Sequence, residues 1–427
     1  MSTLAIRGGK KAVTQNPRQD PLWKKMIQEE VLAVSKLIRK NKISLSPVTQ
    51  ELERQWADYL GVKYCLAQNN GTSTIHAALF AAGVEPGVEV IAPVFTWHLG
   101  LTPILATHGI PVFCDCDPLT SNIDPAKIEA KITPRTKVIL VTHIYGHPVD
   151  MDAVMKIAKR HHLVVIEDAS HAHGGEYKGR KIGTLGDIAC FSLQGSKLMT
   201  GGEAGLFVTN RLEYYEKAIM LGHFERIRSL TSEKYKRYKS SENVPPINLG
   251  FKYRIHPCAA AIALIQLKYL DRRNRLQRKN IKYFEKGLAA IRGFDPAYVA
   301  PYATQVNNLS YLARYYPDMF SGIPREKIIA ALQAEGVDAG TGRTGYIPLH
   351  FQPLLQDQNM YGKGCPWKCS HAKPQRKYQP GDFPVAETIY KERIRLPTFR
   401  DMLFDAKRLD QYIKAFKKVA ENLSELR

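Results

Sequence analysis

Short apolar runs and stretches of helical period alternate through the first half of the chain. Runs at 62–66, 88–92, 111–114, 137–142, 163–167 and 206–209 read as buried strands, and a further run passes through Phe191 and Ser192. Between them, helical spacing marks 22–39, 47–59, a helix opening at Gly71 with Ile75, Ala78, Leu79 and Ala82 on one side, 97–107, a helix from Pro125, and 151–161. Strands and helices in such alternation predict a mostly parallel sheet covered by helices. Beyond Gly205 the character changes. A polar, basic stretch over 226–243, closed by Pro245-Pro246, reads as a long surface loop. An amphipathic helix over 258–269 precedes a long basic helix from Asp271, strand-like 309–316, a helix over 324–335 and a closing helix over 405–426. The pattern divides the chain into an arm with two helices (1–60), a large domain (61–270) and a smaller α+β domain (271–427).

Composition confirms a folded globular chain, with 44% apolar and 24% charged residues. Charge changes the picture more. Lys and Arg number 61 against 40 Asp and Glu, a net of +21, which suits anionic partners. No nucleic-acid recognition motif accompanies the basic residues, which run from Lys10 to Lys418 with clusters at 234–239 and 272–279, so nucleic acid is not the expected partner. Seven cysteines, most of them inside apolar runs, read as small buried hydrophobes in a reducing cytoplasm. The start MSTLAIRGGKKAV lacks a signal-peptide core, and no apolar run is long enough to span a membrane, so the expectation is a cytoplasmic protein without membrane insertion.

Candidate chemistry gathers between Val164 and Gly205. One apolar run ends in Asp168, the next passes through Ser192, and Lys197 follows in a glycine-flanked loop. In an open α/β sheet, ligands sit beyond the carboxyl ends of the strands, where both Asp168 and that loop would lie. A lone lysine in a loop is otherwise a solvated charge. The turn Asn69-Asn70-Gly71-Thr72-Ser73-Thr74 carries two readings, a plain Thr or Ser helix cap and an anion site at a helix start. Trp97 also carries two, a core aromatic and a platform for a flat ligand. His171-Ala-His173, Cys114-Asp-Cys116 and Cys365 to Cys369 near His371 are the metal-like spacings, and none has a four-ligand zinc arrangement, so no metal is expected. P-loop and GxSxG motifs are missing.

LAIRGGKKAV, NNGTST, EDASHAHGGEYKGRKIGTLGDIACFSLQGSK, GGEAG and GFKYRIHPCAAAIALIQL together resemble the DegT/DnrJ-type sugar aminotransferases. Their wording is most similar to the branch of scyllo-inosose aminotransferases and amino-hydroxybenzoate synthases. The resemblance is dense through residue 270 and thins to YIPLH and RLPTF beyond it. It implies a fold-type I enzyme dependent on pyridoxal 5'-phosphate (PLP), a mostly parallel sheet with helices on both faces, and a homodimer with shared active sites. In that family's pattern Lys197 is the lysine that holds the cofactor and later moves protons, and Asp168 is the carboxylate facing the pyridine nitrogen. His171 falls where a ring contact sits, with a core histidine as its other reading. Gly71, Thr72, Ser73 and Ser192 match phosphate contacts, and Trp97 matches the stacked aromatic. Lys252 matches a phosphate contact lent by the neighbouring subunit, often Asn in other branches. Tyr346 and His350 resemble positions lining the substrate pocket, and domain packing is the other reading of both. The reaction implied carries an amino group from Glu or Gln to a keto sugar or keto cyclitol, nucleotide-linked or free. Lys197 removes the dehydratase branch, which has histidine there. Other PLP chemistry on the same scaffold and a non-catalytic regulatory relative are the alternatives, the second disfavoured by the presence of both Lys197 and Asp168.

Overall fold

The computed structural model describes residues 3–14, 18–236, 249–341, 346–372 and 377–427. Two helices open the chain, α1 (Pro21–Arg39) and α2 (Pro47–Leu60), each started by a proline at its first position, where no helical N–H is needed. Asp20 caps α1 by accepting from the Leu22 N–H, and α2 stops at Gly61, whose φ of 76° suits glycine. The alternating part follows as β1 (Tyr64–Gln68), α3 (Gly71–Ala81), β2 (Glu89–Pro93), α4 (Thr102–Ala106), β3 (Ile110–Cys114), β4 (Thr136–Thr142), α5 (Met151–His161) and β5 (Val164–Asp168). A hairpin of β6 (Glu176–Tyr177) and β7 (Arg180–Lys181) leads to β8 (Ile188–Ser192), β9 (Gly205–Thr209), α6 (Leu212–Gly222) and α7 (Glu233–Lys236).

Seven strands form one sheet in the order β1-β9-β8-β5-β4-β2-β3. β9 runs antiparallel to both neighbours, and the other six strands share one direction. Successive side chains of a strand point to opposite faces, and here each face has its own core. Leu66, Val90, Leu140 and Ile166 pack with α3, α4 and α6, whereas Ile91, Ile139, Val141 and Val165 pack with α5, and Cys65, Ala67 and Ala189 with Trp56 of α2. Both faces are therefore covered, which is why these strands read as continuous apolar runs.

The remaining elements are α8 (Pro257–Leu288), β10 (Phe294–Asp295), β11 (Ala303–Gln305), β12 (Tyr311–Tyr315), α9 (Arg325–Ala334), α10 (Pro353–Asp357), α11 (Pro384–Glu392), β13 (Arg393–Leu396) and α12 (Ala406–Glu421). An antiparallel sheet β10-β12-β13 packs with the end of α8, α9 and α12 around Phe284, Phe294, Leu332 and Phe416. Leu4 and Val13 belong to this second core, held there by buried Glu335, which accepts from the N–H groups of Ala5 and Ala12 and from Lys418 Nζ.

Several elements differ from expectation. Residues after Pro125 form two single 3-10 turns, because Ile128 and Ile132 alone supply no helical stripe. The 97–107 segment breaks into a 3-10 turn, His98–Gly100, and the short α4. The two helices expected on either side of Asp271 are one 32-residue helix, α8, with no glycine or proline between its opening Pro257 and Gly287 to interrupt it. Part of the expected surface loop is ordered as the turn Phe224–Ser229 and α7, and the rest, 237–248, lies outside the described residues. Cys365 and Cys369, considered as metal ligands, pair as a disulfide with Cα atoms 5.5 Å apart.

Candidate active site

β5 and β8 are parallel neighbours, with Asp168 opposite Cys190, so Asp168 and Ser192 end on the same edge of the sheet. A cavity of about 920 Å³ lies there. Asp168 is buried and its Oδ1 accepts from the Ser170 N–H at 3.1 Å. The turn ending at Gly100 passes close by, since a Cβ on that glycine would lie 3.8 Å from Asp168 Oδ2.

The start of α3 forms a second wall. Asn70 is the cap, its Oδ1 accepting from the Ser73 N–H at 2.7 Å, while Ser73 Oγ donates back to the Asn70 carbonyl at 2.7 Å. The expected Thr or Ser cap is thus an Asn cap, and Ser73 reinforces it. Gly71 presses against β8 so tightly that a Cβ would sit 2.6 Å from Ser192 Cβ. The cap and the anion-site readings are compatible. A helix leaves four N–H groups without helical partners, Asn70 takes that of Ser73, and the helix start lines the cavity together with Thr72 and Ser192.

Lys197 follows β8 in a loop folded on itself. Its N–H donates to the Gln194 carbonyl at 2.8 Å, Gly201 N–H donates to the Leu193 carbonyl at 2.9 Å, and Ser196 donates through N–H and Oγ to Gln194 Oε1. His173 lies beneath, fully buried against Trp56 and Phe191. Burial first, then the charge of Lys197, pushes the His173 pKa down to about 3, which keeps that imidazole neutral.

His171 is held at both ring nitrogens. Nδ1 accepts from the Tyr145 N–H at 3.1 Å, which leaves the proton on Nε2 to be donated to Tyr346 Oη at 3.0 Å. Tyr145 itself sits at φ 54°, a conformation that a bulky residue adopts only under constraint, and its ring stacks on His171. Trp97 packs 5.4 Å from Tyr346 between ring centroids, so a chain of rings closes one side of the cavity. On the α3 side His76 Nδ1 and Tyr253 Oη are 2.7 Å apart, and burial holds the His76 pKa below its ordinary value.

Gly71, Thr72, Ser73, Trp97, Asp168, His171, Ser192, Lys197 and Tyr346 therefore line a single cavity. Lys252 and His350 do not. Lys252 is exposed, at φ 55°, on the segment leading to α8. His350 is completely buried, 3.0 Å from Glu387 Oε1 and packed against Phe351 and Phe383, surroundings that suit its packing reading. The first two residues of the TGYIPLH motif lie outside the described residues. Sequence reasoning missed Asn70, His76, Gln194, Tyr253 and Met360 as lining residues. Asn70, Gln194 and Tyr253 sit inside the quoted motifs, beside residues that were chosen; Met360 carries no sequence signal. Among the described residues no group of three His, Cys, Asp or Glu is placed to hold a metal. Cys114 and Cys116 are buried thiols whose pKa values burial raises, the first to about 12.

A mostly parallel α/β sheet that brings a buried carboxylate, a loop lysine and a capped helix start to one cavity has the parts that a PLP-dependent transferase needs. Solved structures agree with that class. S. venezuelae DesV superposes with a TM-score of 0.78 at 26% identity, covering 95% of this chain and 100% of its own. 3-Amino-5-hydroxybenzoic acid synthase gives 0.74 at 26% identity, covering 96% and 100%. The chain belongs to the DegT/DnrJ/EryC1/StrS aminotransferase family, whose model matches residues 24–412, and it is a PLP-dependent aminotransferase. Relatives include the L-glutamine:2-deoxy-scyllo-inosose aminotransferase of Streptoalloteichus tenebrarius, 32% identical over 99% of both chains. GDP-perosamine synthase of Caulobacter vibrioides is 38% identical over 71% of this chain and 77% of its own.

Proposed function

We propose that this enzyme moves an amino group from glutamine or glutamate to a keto cyclitol or keto sugar, in the making of an aminocyclitol or amino sugar. The observation that carries the reading is the meeting of Lys197 and Asp168 in one cavity with the helix start at Gly71. The residues fit PLP: the buried Asp168 carboxylate suits a protonated pyridine nitrogen, and the α3 start with Thr72, Ser73 and Ser192 suits a phosphate. PLP, when bound, supplies the electron sink for breaking the bond to hydrogen at the amino carbon. Lys197 Nζ would hold the cofactor covalently and, when free, would take and return the proton at the amino carbon. Trp97, which lines the same cavity, would stack on the cofactor ring. His171 acts through Tyr346, fixing that hydroxyl where an acceptor's hydroxyls need polar partners.

Two acceptor classes stand apart. The S. tenebrarius relative, named for 2-deoxy-scyllo-inosose, supports an uncharged polyol. The GDP-perosamine synthase relative supports the nucleotide-linked reading. The test is a half-reaction. Holoenzyme is loaded with glutamine, freed of donor, and offered a free keto cyclitol or a nucleotide-linked keto sugar. Return of the original cofactor absorbance with the first alone is the expected result; return with the second alone overturns it.

In this reading residues 61–270 form the cofactor-binding unit, 271–427 the smaller unit and 1–60 the arm. The enzyme is cytoplasmic in this reading: the buried free thiols of Cys65, Cys114, Cys116 and Cys190 suit a reducing compartment, and the Cys365–Cys369 disulfide is the feature that points the other way. Among the described residues no helix is long and apolar enough to cross a membrane. Active sites are shared in a homodimer, with exposed Lys252 reaching the partner's phosphate site. Refolding Lys197→Ala and Lys252→Ala together should restore activity at limiting PLP well above either variant alone; mixed dimers without recovery would rule the sharing out.

A further inference from the structure

We propose that Arg400 is a positioning residue for amino transfer, clamping the backbone of the Lys197 loop from the second module of the fold. The inference rests on the reading of Lys197 as the cofactor-bearing amine. Arg400 Nη1 donates to the Lys197 carbonyl at 2.9 Å and to the Ser196 carbonyl at 3.2 Å. The loop's bonds from Lys197 N–H to Gln194 and from Gly201 N–H to Leu193 are internal and move with it. Arg400 ties it to a different part of the molecule.

The turn that presents Arg400 is itself fixed from two directions, by α8 and by the N-terminal segment. Phe399 and Asp401, on either side, hold φ values of 49° and 63°, a left-handed conformation that costs side-chain-bearing residues free energy. Asn280 of α8, wholly buried, donates to the carbonyls of Phe399 at 3.3 Å and Met402 at 2.8 Å. Arg273 of α8 pairs with both Asp401 oxygens, at 2.6 and 3.2 Å, and Asp401 in turn faces Arg400 Nε at 3.3 Å. The Asp20 N–H donates to the Asp401 carbonyl at 3.2 Å. Two strained residues within three positions, over-determined by α8 and by the N-terminal segment, deliver one guanidinium to one loop.

A lysine amine sits at the end of a flexible four-carbon stem, so its placement is no better than that of its Cα. A reacting group displaced by 1 Å costs on the order of a hundredfold in rate. A planar guanidinium can hold neighbouring carbonyls in fixed geometry, whereas an ammonium is a compact point charge. At position 400 Nη1 gives both carbonyl bonds while Nε faces Asp401, so one planar group spans the loop and the turn, which a lysine ammonium would not.

The test compares full-length wild type with Arg400→Ala and Arg400→Lys. Hydrogen exchange in the 193–201 peptide is followed on the PLP-free protein, with the α5 peptide as a control for folding. The rate at which added PLP becomes fixable to Lys197 by borohydride is measured, and kcat and KM are separated. In Arg400→Ala, exchange at the Lys197 and Gly201 amides should rise about tenfold with α5 unchanged. PLP capture and kcat should fall roughly tenfold to a hundredfold, with KM for the donor nearly constant. Arg400→Lys should fall between. Wild-type loop exchange and capture in a folded Arg400→Ala overturns the proposal, and if that variant fails to fold, the same behaviour in Arg400→Lys overturns it. Were PLP found on another lysine in wild type, the reading of Lys197 would fail, and loop exchange measured without cofactor would still decide the clamp.

Discussion

A methyl group added at position 71 would meet Ser192 Cβ at 2.6 Å and Ser192 Cα at 2.9 Å, so the backbone would have to move. Glycine is required there by close approach of helix to strand, not by backbone conformation. Gly71→Ala should cost about 1 to 3 kcal/mol, the usual range for overpacking, and should weaken PLP binding by shifting the helix start. Calorimetric unfolding and a PLP titration check both, and wild-type behaviour in the two would show that the site tolerates the shift. At this scale the sequence disclosed the charged and hydroxyl residues well, because Asp168, Ser192 and Lys197 follow apolar runs whose ends are visible. It disclosed poorly those whose role depends on a distant partner. His350 carries both a pocket and a packing reading in the sequence, because its partner Glu387 is 37 positions on and no local pattern announces the pair. Arg400 touches Lys197 across 203 positions.

Elements with strong local signals were legible to within a residue or two. α5 begins at Met151 and ends at His161 as its apolar spacing predicts, helped by the Asp150 side chain accepting from the Ala153 N–H. β6 and β7 were not legible, since two residues apiece carry no periodicity. The helix expected after Pro125 failed because a proline and an Asp cap license a start without supplying an apolar face. For α3 the cap was misread by a few positions, with a consequence that can be measured. Asn70→Ala removes the acceptor for the Ser73 N–H and should destabilise the protein by about 0.5 to 2 kcal/mol. Urea unfolding of the variant gives the value, and an unchanged midpoint would show that the Ser73 hydroxyl bond alone suffices.

At the scale of the whole molecule, two buried histidines couple stability to pH. Burial, aided at His173 by the charge of Lys197, holds folded-state pKa values near about 3 at His173 and about 4 at His147. His147 accepts from the Ala300 N–H at Nε2, a bond that protonation would break. Unfolded histidine titrates near about 6.5, so between roughly pH 4 and 6.5 the unfolded chain binds protons that the folded chain refuses. Stability is then present in full above the unfolded pKa and falls as pH drops, by about 1.4 kcal/mol per pH unit for each group. His173→Phe should lessen that slope between pH 5 and 6 by about one group's share in urea unfolding; an undiminished slope would remove His173 from the account. The sheet order and the two cores also explain why the site was partly readable: parallel strands place their ends on one edge, so residues that close adjacent strands meet without further information. The ring chain of Tyr145, His171 and Tyr346 joins three separate segments and was beyond such reasoning. The central claim, that Lys197 carries the cofactor opposite Asp168, has one direct measurement. Holoenzyme reduced with borohydride and digested should yield the PLP adduct on the peptide containing Lys197, and glutamine added beforehand should prevent it; an adduct on any other lysine would contradict the account.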